Sequence, residues 1–220
     1  MIESKSWDWS RNKEEKWLIP CVESPYLAER WTSLGFNKFL DIGCGLGRHS
    51  IYMAEKGVNV TALDLSEYGV DHLKKWAYEK GLNVNTVVSD MLKLPFEDNS
   101  FDCIMAYNVI FHTDGEGLVQ IVNEIKRVLK PKGEFFVTLL SKGHWSYVAS
   151  AGTVIDKNTI IRNDKPTEDN VPHFYMDFNE VNEFFNDWEF VDEPVEICEY
   201  SRKDSKKVKK HWKMLIKKLD

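Results

Sequence analysis

Apolar residues recur along most of this chain in two alternating rhythms. Short β-branched and aromatic runs read as strands: Phe36–Gly43, Asn59–Leu65, Val84–Ser89, Phe101–Val109 and a fully apolar Glu134–Leu140. Helical patterns lie between them. These are Arg48–Lys56, then Glu67–Lys80 with Val70, Leu73 and Ala77 on one face and Gly81 placed to end it, then Leu118–Leu129 with apolar residues at 118, 121, 122, 125, 128 and 129. Lys130-Pro131-Lys132-Gly133 stops the last helix. Strands alternating with helices at this spacing predict a parallel sheet with helices on both faces. Glu189–Ile197 and Trp212–Leu219 read as two more strands with no helical crossover, so they pair antiparallel as an edge hairpin. The expected fold is α/β, a doubly wound seven-stranded sheet, mostly parallel, with an antiparallel C-terminal edge hairpin.

Two regions break the rhythm. Lys13–Gly35 is expected to be helical, with Trp17, Leu18, Leu27, Trp31 and Leu34 available to pack; residues 1–35 then form an N-terminal helical lid segment ahead of a domain over 36–220. Ser141–Pro172 mixes polar and aromatic residues with few periodic signals, and about 141–176 reads as an insertion on the substrate side. Asp177 followed three residues later by Glu180 predicts a helix start, with Val181, Phe184 and Phe185 as its buried side.

Composition narrows the classes. At 220 residues, 43% apolar and 29% charged, the chain reads as one globular domain with a sizeable core. A net charge of −6 argues against general nucleic-acid binding, which leaves a basic footprint. The charge is uneven: Ser201–Asp220 holds nine Lys/Arg against two Asp, so +7 sits there and −13 on the rest. Lys206-Lys207-Val208-Lys209-Lys210 reads as a solvated hairpin loop, and lysines at a sheet edge discourage pairing with other molecules. Cys21, Cys44, Cys103 and Cys198 lie far apart, with no CxxC or Cys/His cluster, so reduced thiols are expected and neither disulfides nor a metal. Met1–Ser10 has no signal-peptide pattern and no apolar run nears the roughly 20 residues that span a bilayer, so a cytoplasmic protein without a membrane partner is expected.

The candidate chemistry sits where the first strand ends. Asp41 precedes Gly43, Gly45 and Gly47, which let the backbone turn sharply and approach a ligand closely. The spacing is GxGxG; reading GxGxxG from Gly45 places Ser50 at the third glycine, which a dinucleotide turn does not favour. A carboxylate at position 41 repels a pyrophosphate but attracts a ligand with an amino group and a sulfonium. That points to S-adenosylmethionine and methyl transfer. Asp64, ending the second strand, can accept from both ribose hydroxyls, a role NAD would share. Asp90, after the third strand, can accept from an adenine amine, while Met91 and Leu92 offer an apolar face and a backbone N–H. Tyr107-Asn108-Val109-Ile110-Phe111-His112 ends the fourth strand and would floor the methionyl moiety.

Taken together, Asp41-Ile42-Gly43-Cys44-Gly45-Leu46-Gly47, Asp64, Ser89-Asp90, Phe101-Asp102-Cys103-Ile104 and Arg127-Val128-Leu129-Lys130-Pro131-Lys132-Gly133 resemble class I S-adenosylmethionine-dependent methyltransferases, over about Phe36 to Leu140. Gly45–Ala54 more narrowly resembles the tellurite-resistance and thioether-type small-molecule enzymes. The resemblance implies a Rossmann-like fold, S-adenosylmethionine as cofactor, a small-molecule acceptor and in-line displacement at the sulfonium methyl. Its cofactor residues here would be Asp41, Gly43, Cys44, Gly45, Gly47, Arg48, Asp64, Leu65, Asp90, Met91, Leu92, Asn108 and Val109. A hydroxyl or protonated amine acceptor needs a base, most often His, whereas a thiol, selenol or tertiary amine needs little help. His112, beside the expected methyl, is the catalytic candidate. His144, Trp145, Tyr147, His173 and Tyr175 are the substrate-side candidates, an aromatic and imidazole lining suited to a small, partly apolar acceptor.

Trp7, Trp9 and Trp17 either form a lid that excludes water or pack a helix on the sheet, and deletion of Met1–Trp17 weakens cofactor binding if they form a lid. Three other readings stay open. The basic C-terminal stretch prompts an RNA or protein methyltransferase, although Asn108-Val109-Ile110-Phe111 lacks the Asn/Asp-Pro-Pro-aromatic motif of base-amine methylation. A nicotinamide-dependent oxidoreductase is disfavoured by Asp41, and a non-catalytic nucleoside-binding module keeps the same turn. No residue pattern bears on oligomeric state.

Overall fold

The computed structural model describes all residues except 1, 3, 13, 164–169, 201–203 and 205. Lys13–Gly35, expected to be helical, forms no continuous helix. Two 3₁₀ turns, Trp9–Arg11 and Glu15–Leu18, precede α1 (Ser24–Ser33). Pro20 lacks the N–H that a continuous helix needs, and Pro25 is tolerated because it lies in the first turn of α1. Residue 13 of the expected segment lies outside the described residues.

The body then follows the sequence rhythm: β1 (Lys38–Ile42), α2 (Arg48–Glu55), β2 (Asn59–Asp64), α3 (Glu67–Glu79), β3 (Val84–Val88), β4 (Phe101–Ala106), α4 (Gly115–Val128) and β5 (Leu129–Ser141). Ser66 caps α3 by accepting from Gly69 N at 3.3 Å, and Asp114 caps α4 by accepting from Gly117 N at 2.8 Å. β2, β1, β4 and β5 pair in parallel, with β3 beyond β2. Alternate residues face two cores. Leu40, Ile104, Phe135 and Val137 pack on α4, while Phe39, Cys103, Met105 and Phe136 pack on Leu27 and Trp31 of α1 and Met53 of α2.

β5 is not fully apolar. Glu134 is 1% exposed, accepting from Arg30 Nη2 at 2.7 Å and Trp31 Nε1 at 2.9 Å, and Thr138 is fully buried. These polar groups are satisfied by partners that only the tertiary fold brings near.

The region 141–176, with few periodic signals, holds α5 (Trp145–Val148), β6 (Thr153–Val154), β7 (Thr159–Arg162) and β8 (Val171–Met176); part of the β7–β8 connection lies outside the described residues. β4 leaves β5 at the Ala106–Val137 pair, and β8 pairs in parallel with β5 at Leu140–Tyr175 and Ser141–Met176. β7 and β6 add to β8 antiparallel. The chain closes with α6 (Phe178–Phe184), started by the Asp177/Glu180 capping box, and the hairpin β9 (Trp188–Tyr200) and β10 (Val208–Lys218). β10 lies antiparallel between β5 and β9, so the main sheet has seven strands and the expected antiparallel edge, with the three-stranded extension on top. Among the described residues no helix is long and apolar enough to cross a membrane.

Candidate active site

The glycine turn is fixed through its own backbone N–H groups, which bond to the end of β2. Gly43, Gly45 and Gly47 have φ of +66°, +53° and +96°, a region costly for residues with a Cβ. Gly43 N and Cys44 N donate to Leu63 O at 2.7 and 3.0 Å. Asp64 completes the clamp: Oδ2 accepts from Gly45 N and Oδ1 from Ser66 N, both at 2.8 Å. A Cβ on Gly43 would lie 2.3 Å from Val109 Cγ2, and one on Gly45 2.5 Å from the Trp9 ring. The missing Cβ atoms therefore admit the loop after β4 on one side and an N-terminal tryptophan on the other.

Asp41 lies beneath this turn, 1% exposed, and Ser50 Oγ donates to its Oδ2 at 2.5 Å. Burial pushes its carboxyl up to about 7, against the Ser50 hydrogen bond and the Arg48 charge, with the Asp64 charge adding to the rise. Burial also raises Asp64.

A cavity of about 580 Å³ opens above the carboxyl ends of the strands, within the range of small-molecule sites. Of the sequence-predicted residues it is lined by Gly43, Cys44, Arg48, Asp64, Leu65, Asp90, Met91, Asn108, Val109 and His112, and on the far side by His144 and His173. Asn108 holds a left-handed φ of +57° while its N and Oδ1 both engage Thr138 Oγ1, at 2.7 and 2.9 Å, which fixes the floor of the cavity.

The other predicted residues stand behind the lining. Asp41 is buried under the turn, Trp9 covers Gly45, and Leu73 packs against Gly47. Leu92 donates its N–H to Asp90 Oδ1 at 2.9 Å and so positions that acid. Trp145 stacks against the Arg162 guanidinium, 5.1 Å from the ring centre. Tyr147 Oη donates to Lys157 O at 2.8 Å, and the fully buried Tyr175 Oη pairs with Ser146 Oγ at 2.8 Å. These three aromatics support the wall without lining the cavity.

Arg162, Glu199, Lys209 and His211 also line the cavity and carried no signal as a site. The lysine stretch is not simply a solvated loop, because β10 begins at Val208, Lys209 reaches the cavity and Lys210 pairs with Glu196 at 2.9 Å. Burial, then the charge of Lys209, lowers His211 to about 4, so this imidazole is neutral. No local pattern could have marked residues that meet only when β10 inserts beside β5.

The N-terminal segment forms the roof. Trp7 stacks on Trp9 at 5.9 Å between ring centres and lies 5.5 Å from the His112 ring, while Trp17 meets Trp9 edge-on at 5.3 Å. Arg48 ties the segment down, donating to Lys16 O and Ile19 O at 3.2 and 3.3 Å between the faces of Trp17 and Tyr107. Trp7, Trp9, Trp17 and Asn12 line this space, and their side-chain N–H groups are buried without a hydrogen-bond partner among the described residues. Buried donors of this kind cost about 1–3 kcal/mol each unless paired, so they fit a ligand rich in acceptors. Asp64 and Asp90 supply the complementary acceptors. The donor set suits a nucleoside bearing a carboxylate. Among the described residues no group of three or more His, Cys, Asp or Glu could hold a metal ion.

Comparison with known proteins agrees with this geometry. Residues 40–137 match a methyltransferase domain family. Sterol 24-C-methyltransferase ERG6B of Gibberella zeae is 39% identical over 103 residues, 46% of this chain but 27% of that enzyme. The chain thus spans about a quarter of that relative's length. Ubiquinone biosynthesis O-methyltransferase of Rickettsia felis is 26% identical over 217 residues, covering 96% of this chain and 84% of that protein. Among solved structures, TehB of Haemophilus influenzae superposes with a TM-score of 0.65 at 22% identity, over 88% of this chain and 62% of that one. That likeness is one of fold.

Proposed function

We propose that this chain, which carries a class I S-adenosylmethionine-dependent methyltransferase domain, moves a methyl group from S-adenosylmethionine to a small polar molecule. One observation carries the reading: a single cavity of about 580 Å³ joins the glycine turn, Asp64 and Asp90 to the histidines beyond β5. A nucleoside site and an imidazole-lined site share one space. Because both ligands must fit within it, the acceptor is small.

When bound, S-adenosylmethionine supplies a methyl carbon activated by its sulfonium; the protein's share is alignment and exclusion of water. Asp64 would accept from the ribose hydroxyls while still holding Gly45 and Ser66. Asp90, positioned by Leu92, would accept from the adenine amine against the apolar Met91. The backbone of Gly43 and Cys44 and the floor of Asn108 and Val109 would carry the methionyl end. Asp41 acts from beneath, at the end of β1, through its bond with Ser50 of α2. Trp7, Trp9 and Trp17 act as a lid, while α1 belongs to the body of the domain, packed through Leu27 and Trp31.

Nucleic acid is not favoured as acceptor, because lysines of the basic hairpin are drawn into pairs with acids: Lys210 with Glu196 at 2.9 Å, Lys213 with Glu23 at 2.7 Å and Lys217 with Glu189 at 2.6 Å.

Calorimetric titration tests the reading. S-adenosylmethionine is expected to bind with Kd between about 1 μM and 1 mM, the usual span for enzyme substrates, and NAD not to bind. Binding of NAD alone would overturn it. A donor-consumption screen over catechols, amines, small thiols and selenium or tellurium oxyanions then identifies the acceptor class.

A further inference from the structure

We propose, on the methyl-transfer reading above, that Asp114 is the latch of an N-terminal strap that must open for S-adenosylmethionine to enter or leave. Asp114 divides its carboxylate between two elements. Oδ1 accepts from Gly117 N at 2.8 Å and caps α4, while Oδ2 accepts from Ile2 N at 2.6 Å, across 112 residues of sequence. The first bond is the ordinary work of a helix cap. The second has no part in α4. It fastens the start of the N-terminal segment to the loop after β4, two residues beyond His112.

The other end of the segment is held by α2. Cys21 N donates to Nε2 of the buried His49 at 3.3 Å, and Arg48 donates to Lys16 O and Ile19 O. Segment 2–19 therefore runs from the α4 side of the sheet to the α2 side, fastened at both ends. Between the fastenings it crosses the cavity, with Trp7 against His112 and Trp9 over Gly45. Its regular structure, among the described residues, is two 3₁₀ turns of three and four residues, and no strand of the sheet pairs with it. The α2 end is the hinge, because three bonds and the fixed φ of Pro20 hold the backbone there. The α4 end is the latch, a carboxylate oxygen on one backbone N–H that water can replace.

Closure of the strap is opposed from within. The side-chain N–H groups of Trp7, Trp9, Trp17 and Asn12 are buried without a partner among the described residues. Opening returns those donors to water, whereas a ligand that pairs them favours the closed form. The bond to Asp114 favours closure with or without ligand. It thus sets how often the strap stands open, and because the strap roofs the glycine turn, passage of the cofactor follows that opening.

The latch can be removed while the helix cap stays. Asp114→Asn keeps one oxygen for Gly117 N but sets an amide NH₂ opposite Ile2 N, and Asp114→Ser caps α4 with a hydroxyl too short to reach the strap. Stopped-flow tryptophan fluorescence gives the association and dissociation rates of S-adenosylmethionine and of S-adenosylhomocysteine, the thioether left when the methyl departs. In both variants both rates are expected to rise about tenfold, the worth of one hydrogen bond to a charged group, with Kd within about threefold and the ligand-free Tm within about 4 °C of the parent. Rates that rise together mark a gate, since opening lies on the path in both directions; a role in packing or ligand contact speeds dissociation alone. In the unmodified protein, hydrogen exchange of segment 2–19 is expected to slow about tenfold or more when S-adenosylhomocysteine saturates the site. Unchanged association rates, dissociation rising alone, or exchange indifferent to ligand would overturn the inference. Failure of the unmodified protein to bind either ligand would instead defeat the reading on which it rests.

Discussion

Asp41 holds its carboxyl almost wholly out of water, and the consequence is a stability that depends on pH. Its folded pKa, near 7, stands above the ordinary value of about 3.9. Between those values the unfolded chain has lost the proton that the folded chain retains, so this group's unfavourable contribution is absent below about 4 and complete above about 7. His49 and His211, whose imidazoles burial holds neutral, act in the opposite direction, destabilising the fold as pH drops below about 6.5. The difference between variant and parent isolates Asp41: the stability of Asp41→Asn relative to the parent is expected to rise by about 2–3 kcal/mol from pH 5 to pH 8, read from urea midpoints. A pH-independent difference would show that the acid is ordinary. Position 41 was legible as an acid ending a strand. That it lies under the turn, bonded to Ser50, was not, because Ser50 reaches it only once α2 folds back.

At the scale of elements, β5 and α1 depend on each other. Glu134 sits in the middle of the sheet because Arg30 and Trp31 of α1 satisfy it, two elements about a hundred residues apart in sequence. Glu134→Ala strands the Trp31 N–H and unpairs Arg30, and is expected to lower unfolding free energy by about 2–4 kcal/mol in a denaturant titration, less than a fully buried pair because Arg30 retains some exposure. The turn between β1 and α2 makes a second prediction. Gly43→Ala combines an unfavourable φ with a Cβ 2.3 Å from Val109. A cost of about 2–4 kcal/mol is expected, and a loss under 1 kcal/mol would mean that the loop after β4 yields easily. The hydrophobic rhythm announced β1 to β5, α2 to α4 and the hairpin. It was silent on β6 to β8, strands of two to six residues whose partners are each other and the end of β5, so no local pattern needed to be strong.

For the whole molecule, the roof decides whether the cavity works as a site. Three indole N–H groups and one amide are buried there without partners among the described residues, and Arg48 holds the segment that carries them. Trp9→Ala is expected to weaken S-adenosylmethionine binding about tenfold, roughly 1.4 kcal/mol, by calorimetry. Ligand at a hundred times its Kd should stabilise the parent by about 2.7 kcal/mol, visible as a rise in Tm, and Trp9→Ala should lose part of that rise at the same ligand concentration. Equal affinity and equal shifts would reduce the tryptophans to packing.

The sequence by itself determined the doubly wound sheet, the glycine turn and the acids Asp64 and Asp90 at successive strand ends, because these are local signals: periodicity, φ > 0 at glycine, and a carboxylate where a strand stops. It also marked His144 and His173 as residues of the far wall. Only the tertiary structure decided what that wall is. It brought Arg162, Glu199, Lys209 and His211 from three strands to one cavity and set Trp145, Tyr147 and Tyr175 behind it. Those outcomes depend on which strand takes the edge of β5 once β4 ends, and on single hydrogen bonds to backbone atoms. Neither leaves a pattern along the chain, since both follow from contacts between segments far apart in sequence.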